Sequence, residues 1–106
     1  MKLSEGLDEG PILEYFKMAI EDDDTAGTLA AKMAKVSSNK IIQTIDNIEL
    51  NNFKITEQDH SKASYADKLL KKESCIEWNN KAVDIKNMIN GYSPNPVSYT
   101  HLTLPT

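Results

Sequence analysis

Glu5-Gly6-Leu7-Asp8-Glu9-Gly10-Pro11 holds two of the four glycines and one of the four prolines of the chain. Glycine reaches backbone conformations that other residues avoid, and proline fixes the direction in which the chain leaves. The stretch therefore reads as a tight loop that pins one carboxylate, Asp8. The apolar pair Ile12-Leu13 follows at once, so the loop is expected to launch a buried strand. A loop carboxylate at the end of a sheet is a common place for chemistry. Spacing alone, however, favours the plainer reading, in which Asp8 is a turn residue bonding its own backbone.

Outward from the loop, Ile12–Ile20 is rich in β-formers with isolated charges and is expected to be a strand. The acids Glu21, Asp22, Asp23 and Asp24 lack the alternation and central glycine of a calcium loop. Asp24 instead suits a helix cap, its neighbours favouring the positive end of the helix. A helix is predicted from about Thr25 to Val36, with Leu29, Met33 and Val36 on one face. Ser37-Ser38 is expected to interrupt it and cap a second helix reaching about Leu50, striped by Ile41, Ile42, Ile45 and Ile48. Both stripes read as core faces. Phe53–Ser64 is polar and without period, an extended linker in which His60 is a solvated residue. Lys68, Lys71 and Lys72 form the one basic cluster; such a cluster usually solvates a surface but can also meet phosphate as point charges. Cys75 reads as an inert thiol and Trp78 as a packing anchor. A third helix, capped by Asn79 or Asn80, runs to about Asn90, and Gly91 ends it before the rigid Ser93-Pro94-Asn95-Pro96.

The 106 residues allow at most one small domain, and 40% hydrophobic with 26% charged residues is a globular balance. A net charge of −4 argues against a protein that coats nucleic acid generically, while leaving room for a local basic patch. One cysteine excludes an internal disulfide and a four-cysteine zinc site, and implies a reducing, cytoplasmic setting. Met1–Gly10 has no apolar core of a secretory signal, and no stretch approaches the ~20 apolar residues that span a bilayer.

Val97-Ser98-Tyr99-Thr100-His101-Leu102-Thr103-Leu104-Pro105-Thr106 fits neither a helix nor a capped strand. The DNA sequence GTC TCT TAT ACA CAT CTG ACG CTG CCG ACG, a transposase end joined to a read primer of a common library kit, encodes those residues in order without a mismatch. The tail is therefore expected to be adapter-derived and is excluded from fold reasoning, so His101 is given no chemistry. Re-sequencing the locus across the Pro96 codon checks this, and a gene that continues as Val-Ser-Tyr-Thr would refute it.

Ahead of that tail the chain resembles the methionyl-tRNA formyltransferase family. Met1–Leu13 is similar to that family's "MKMDEGLDTGPIL", and Asp24–Leu29 to its "DTSGTL". Gln58-Asp59 and Tyr65–Leu69 are similar to its "QD" and "YAxKL", Ile76-Glu77-Trp78 to "IDW", and Ser93–Pro96 to "NPWP". The first motif is shared among folate-dependent formyltransferases; the pair at Tyr65–Trp78 is more specific to the tRNA enzymes. Asn90 stands in place of the family's arginine, Asn95 in place of its tryptophan, and Lys72 in place of an acid.

The resemblance implies an α/β fold. Residues 1–52 would be the C-terminal part of a Rossmann-like formyltransferase domain with one or two strands and two helices. Residues 53–75 would be an interdomain linker, 76–96 the first helix of a C-terminal barrel domain, and 97–106 the non-native tail. It implies that Asp8 is the catalytic aspartate, that Glu5, Gly6 and Leu7 face the pterin of 10-formyltetrahydrofolate, the formyl donor, and that no metal takes part. Lys68, Lys71 and Lys72 would touch initiator methionyl-tRNA. The full-length enzyme would be a cytoplasmic monomer with no membrane contact. The family's asparagine and histidine, from an "NxHxSLLP" segment, are not in this sequence, so the chain is expected to be a truncated fragment, inactive as it stands. The alternatives are another folate-dependent formyltransferase, acting on a purine precursor or an amino sugar, and a small helical interaction module with no enzymatic role.

Overall fold

The computed structural model describes residues 1–100. They contain two α-helices, α1 (Ala26–Glu49) and α2 (Ala82–Gly91), and two single 3-10 turns, His60–Lys62 and Lys71–Ser74. The residues group into two compact units, one of Met1–Ala19 with Ala34–Ala66, the other of Ile20–Met33 with the described residues from Asp67 on.

The α/β expectation is not met. Among the described residues there is no strand and no sheet or barrel element, only two isolated bridges, Ile12 with Thr56 (antiparallel) and Cys75 with Tyr99 (parallel). Ile12–Ile20 has strand-forming side chains, but a strand exists only by pairing its backbone, and here only Ile12 finds a partner. Side chains hold the run instead: the Thr44 hydroxyl donates to the Glu14 carboxylate, and the Lys40 ammonium lies 5.5 Å from the centroid of the Phe16 ring.

Nor does Ser37-Ser38 divide the first helix, which runs unbroken through both residues. Serine competes with helix by bonding nearby backbone, yet it sits inside a helix when its hydroxyl turns back onto the preceding turn. Ser38 does so, donating to the Lys35 carbonyl at 2.9 Å. The start of α1 is also organised differently from the expected aspartate cap. Thr25 and Thr28 cap reciprocally: the Thr28 amide donates to the Thr25 hydroxyl at 3.1 Å, and the Thr25 amide to the Thr28 hydroxyl at 2.8 Å. Asp24 stands one residue outside, almost wholly buried, where it accepts from the Glu21 amide (2.9 Å), the Thr28 hydroxyl (3.0 Å) and the Lys32 ammonium (2.7 Å). α2 begins after Lys81 without a side-chain cap, so neither Asn79 nor Asn80 serves there.

The bond from Lys32, with the Glu21 amide, holds the Asp24 carboxyl below its ordinary value, and the bond to Asp24 raises Lys32 above its own. The sign follows for each. A depressed carboxylate adds stability above its unfolded-chain pKa and loses it as pH falls through the folded value; a raised ammonium adds stability that is lost as pH climbs through its folded value. The pair is thus intact across the whole neutral range. A carboxyl 13C titration is expected to place the Asp24 midpoint below the ordinary aspartate value, and Lys32→Met to raise it. A midpoint unmoved by that substitution would refute the coupling.

The expected core faces stay open. Among the described residues no apolar side chain is buried; Ile41 is 52% exposed, Ile42 66% and Ile45 46%. Amphipathic helices gain most of their stability from covering such a face, and here the described chain covers it only in part.

Candidate functional site

In the unit that holds residue 8, the amide of Lys2 donates to the carbonyl of Pro11 at 2.9 Å, pinching residues 2–11 into a closed loop. Gly10 is buried under that pinch. A Cβ built on it would lie 1.7 Å from the Lys2 carbonyl oxygen, so only glycine fits where the chain passes overhead. Gly6 differs, because the group in its way is the end of the flexible Glu9 side chain. No glycine takes a positive φ; Asp8 itself does, at 54°, a conformation that aspartate and asparagine tolerate because their short side chains bond locally. The glycines therefore do not supply the left-handed turn. One of them supplies room.

The loop is tied to the segment that the sequence marks as a linker. Ile12 and Thr56 exchange backbone bonds of 2.8 and 2.9 Å. The side-chain amide nitrogen of Gln58 donates to the carbonyls of Asp8 (2.9 Å) and Gly10 (2.6 Å), with the Met1 sulfur 3.5 Å away. Beside this tie runs an open groove of about 750 Å³ whose lining includes Leu7, Asp8, Ile12, Gln58, His60 and Tyr65. Asp8, the loop carboxylate, and His60, expected to be a solvated linker residue, border the same groove. Glu5 and Leu7 are exposed on the loop. Asp59 folds inward on its own turn, accepting from the Ser61 amide and hydroxyl and pairing with Lys62 at 3.1 Å. These bonds, the Ser61 one foremost, lower its pKa.

The basic cluster belongs to the other unit. Lys71 and Lys72 open the 3-10 turn Lys71–Ser74, Lys68 precedes it, and all three are exposed. The Glu73 carboxylate accepts from the Leu70 amide, and the fully buried Ser74 donates its hydroxyl to the Lys71 carbonyl at 2.7 Å. The Ser74 carbonyl accepts from the Tyr99 amide at 3.0 Å, and the Tyr99 carbonyl from Ile76 at 2.8 Å. These last contacts bring the start of the tail onto the turn through backbone bonds. Val97, at the head of the tail, has φ 69°, a conformation that a β-branched residue enters only under strain. His101 lies outside the described residues.

No group of three or more His, Cys, Asp or Glu side chains among the described residues is placed to hold a metal ion, and no described helix is long and apolar enough to cross a membrane. What the loop offers chemically is three solvent-facing carboxylates, Glu5, Asp8 and Glu9, of which Asp8 stands on the backbone that Gln58 braces. Local pattern missed Gln58 as the brace, since its partners lie 48 and 50 positions away.

The family described as "Formyl transferase, C-terminal domain" matches residues 68–104. Over 99 residues the chain is 38% identical to the methionyl-tRNA formyltransferase of Pelagibacter ubique (strain HTCC1062), covering 93% of this chain and 32% of that protein. It is 38% identical over 99 residues to that of Blochmanniella floridana, covering 93% of this chain and 31% of the relative. It is 30% identical over 101 residues to that of Coxiella burnetii (strain RSA 493 / Nine Mile phase I), covering 95% of this chain and 32% of the relative. The chain thus spans about a third of the length of the curated relatives it matches.

Proposed function

We propose, from the chain's homology to one third of the methionyl-tRNA formyltransferases, that it is a segment of an enzyme moving a formyl group from 10-formyltetrahydrofolate to the amino group of initiator methionyl-tRNA. The observation that carries this is the braced Asp8 loop standing within the stretch that the relatives share. In the reaction the methionyl nitrogen bonds to the formyl carbon, the bond from that carbon to the folate nitrogen breaks, and the amine proton ends on the folate. Asp8 is the carboxylate that orients a histidine and an ordered water for that proton transfer. A histidine and an asparagine from elsewhere in the enzyme stabilise the oxyanion of the tetrahedral intermediate. The backbone of Glu5, Gly6 and Leu7 faces the pterin.

In this reading residues 1–52 belong to the catalytic domain, 53–75 connect it onward, 76–96 begin the C-terminal domain, and 97–106 come from a library adapter. Lys68, Lys71 and Lys72 meet tRNA phosphates as point charges. The enzyme acts in the cytoplasm as a monomer. The segment alone carries no oxyanion hole and makes no product.

A chimera tests the proposal: residues 1–96 of this chain replace the matched third of the Pelagibacter ubique relative. The chimera is expected to formylate methionyl-tRNA, while the isolated chain gives nothing above background. Turnover by the isolated chain, a dead chimera, or transfer to an amino sugar or a purine precursor in preference to methionyl-tRNA would each overturn it.

A further inference from the structure

Gln58 is the one side chain that bonds the backbone of the Asp8 loop from outside it among the described residues, and we propose that it is a positioning residue for the reaction, one that sets where the Asp8 carboxylate stands. The inference rests on the role given to Asp8 under Proposed function.

The Gln58 side-chain nitrogen lies 2.9 Å from the Asp8 carbonyl and 2.6 Å from the Gly10 carbonyl. An amide nitrogen has two hydrogens, and both are engaged by these two acceptors. The orientation of the amide is settled by its partners, because turning it over would set its oxygen against two carbonyl oxygens. The Met1 sulfur, 3.5 Å away, is a weak third neighbour. Asp8 sits at φ 54°, a shallow and sparsely used well. A single fork across residues 8 and 10 fixes the Asp8–Glu9 and Gly10–Pro11 peptide planes, and with the first of them the direction in which the Asp8 side chain leaves the backbone. Gln58 is half-buried beside the groove that Asp8 borders, so the fork is partly shielded from competing water. A donor fork is required here, and a carboxylate of the same shape offers none.

The test uses the chimera described above, assayed with 10-formyltetrahydrofolate and initiator methionyl-tRNA. An active parent chimera upholds the function, and its variants then address Gln58 alone; a dead parent overturns the function and this inference with it. Gln58→Glu is expected to lower kcat by about 10²-fold at neutral pH, the scale set by a misplacement near 1 Å. KM for the tRNA should stay within about twofold and the thermal midpoint within a few degrees. Activity should return in part as pH falls and the introduced carboxyl gains a proton to donate, a pH dependence that the parent lacks. Gln58→Ala should show the kcat loss without the pH-dependent return. If kcat is unchanged in both variants, or falls only in step with the melting temperature, or if Gln58→Glu shows no return at low pH relative to Gln58→Ala, the proposal is overturned.

Discussion

Asp8→Asn in the active chimera is expected to lower kcat by about 10²–10⁴-fold, the range in which a positioned acid–base group contributes. The substitution is a clean probe because of the backbone. Asp8 sits at φ 54°, where asparagine is as comfortable as aspartate. Its carbonyl remains available to Gln58. Loop geometry is therefore retained and only the carboxylate is lost. Asp8→Ala would mix two effects, since an alanine at that φ costs roughly 1–2 kcal/mol of backbone strain. Steady-state kinetics with both substrates decides the matter: an Asn variant with parental kcat would remove Asp8 from the chemistry.

Gly10→Ala is expected to be as damaging, through geometry in place of charge. The added methyl would stand 1.7 Å from the Lys2 carbonyl oxygen and 2.9 Å from its carbon. Both atoms are backbone, so the clash cannot be relieved by a rotamer. Either the Lys2–Pro11 bond opens or the Gly10 carbonyl swings away from Gln58. Forcing extra atoms into a filled site costs about 1–3 kcal/mol, and the displaced loop carries Asp8 with it. Both kcat and KM for the formyl donor should worsen, because Glu5, Gly6 and Leu7 move as well. Gly6→Ala is the control: there the obstacle is the Glu9 side chain, which can turn aside, and the loss should be several-fold at most. Equal effects at the two glycines would show that the close pass of Lys2 is unimportant.

These contrasts mark what could be read from residues alone. Glycine and proline announced a loop at Glu5–Pro11, and a loop is there. Which glycine was indispensable could not be read, because the need at Gly10 comes from a chain segment folding back over it. Gln58 stands out in the sequence only as half of a family-like "QD" pair; its bracing role is hidden because its partners are remote. Helix α2 ends at Gly91, close to where the sequence predicts, although neither Asn79 nor Asn80 caps its start. Ser37-Ser38 reads as a break in the sequence, yet the Ser38 hydroxyl bonds Lys35 and α1 continues through it. The strand at Ile12–Ile20 failed for a different reason. Side-chain preference is local, but a strand needs a second backbone, and only Thr56 meets Ile12. The carboxylate loop was thus visible as a motif, while the bonds that aim it belong to long-range contacts.

The open isoleucines of α1 also bear on the fate of this polypeptide if a cell makes it as it stands. Ile41, Ile42 and Ile45, each 46% exposed or more, are the kind of surface that chaperones hold and degradative proteases sample, since a chain without a covered interior spends much of its time open. Synthesis would then consume translation capacity and yield a short-lived species. A pulse-chase comparison should show this chain decaying far faster than the active chimera, with the difference shrinking in cells that lack the major cytosolic proteases; equal lifetimes would mean that the exposed stripe finds a cover in the cell.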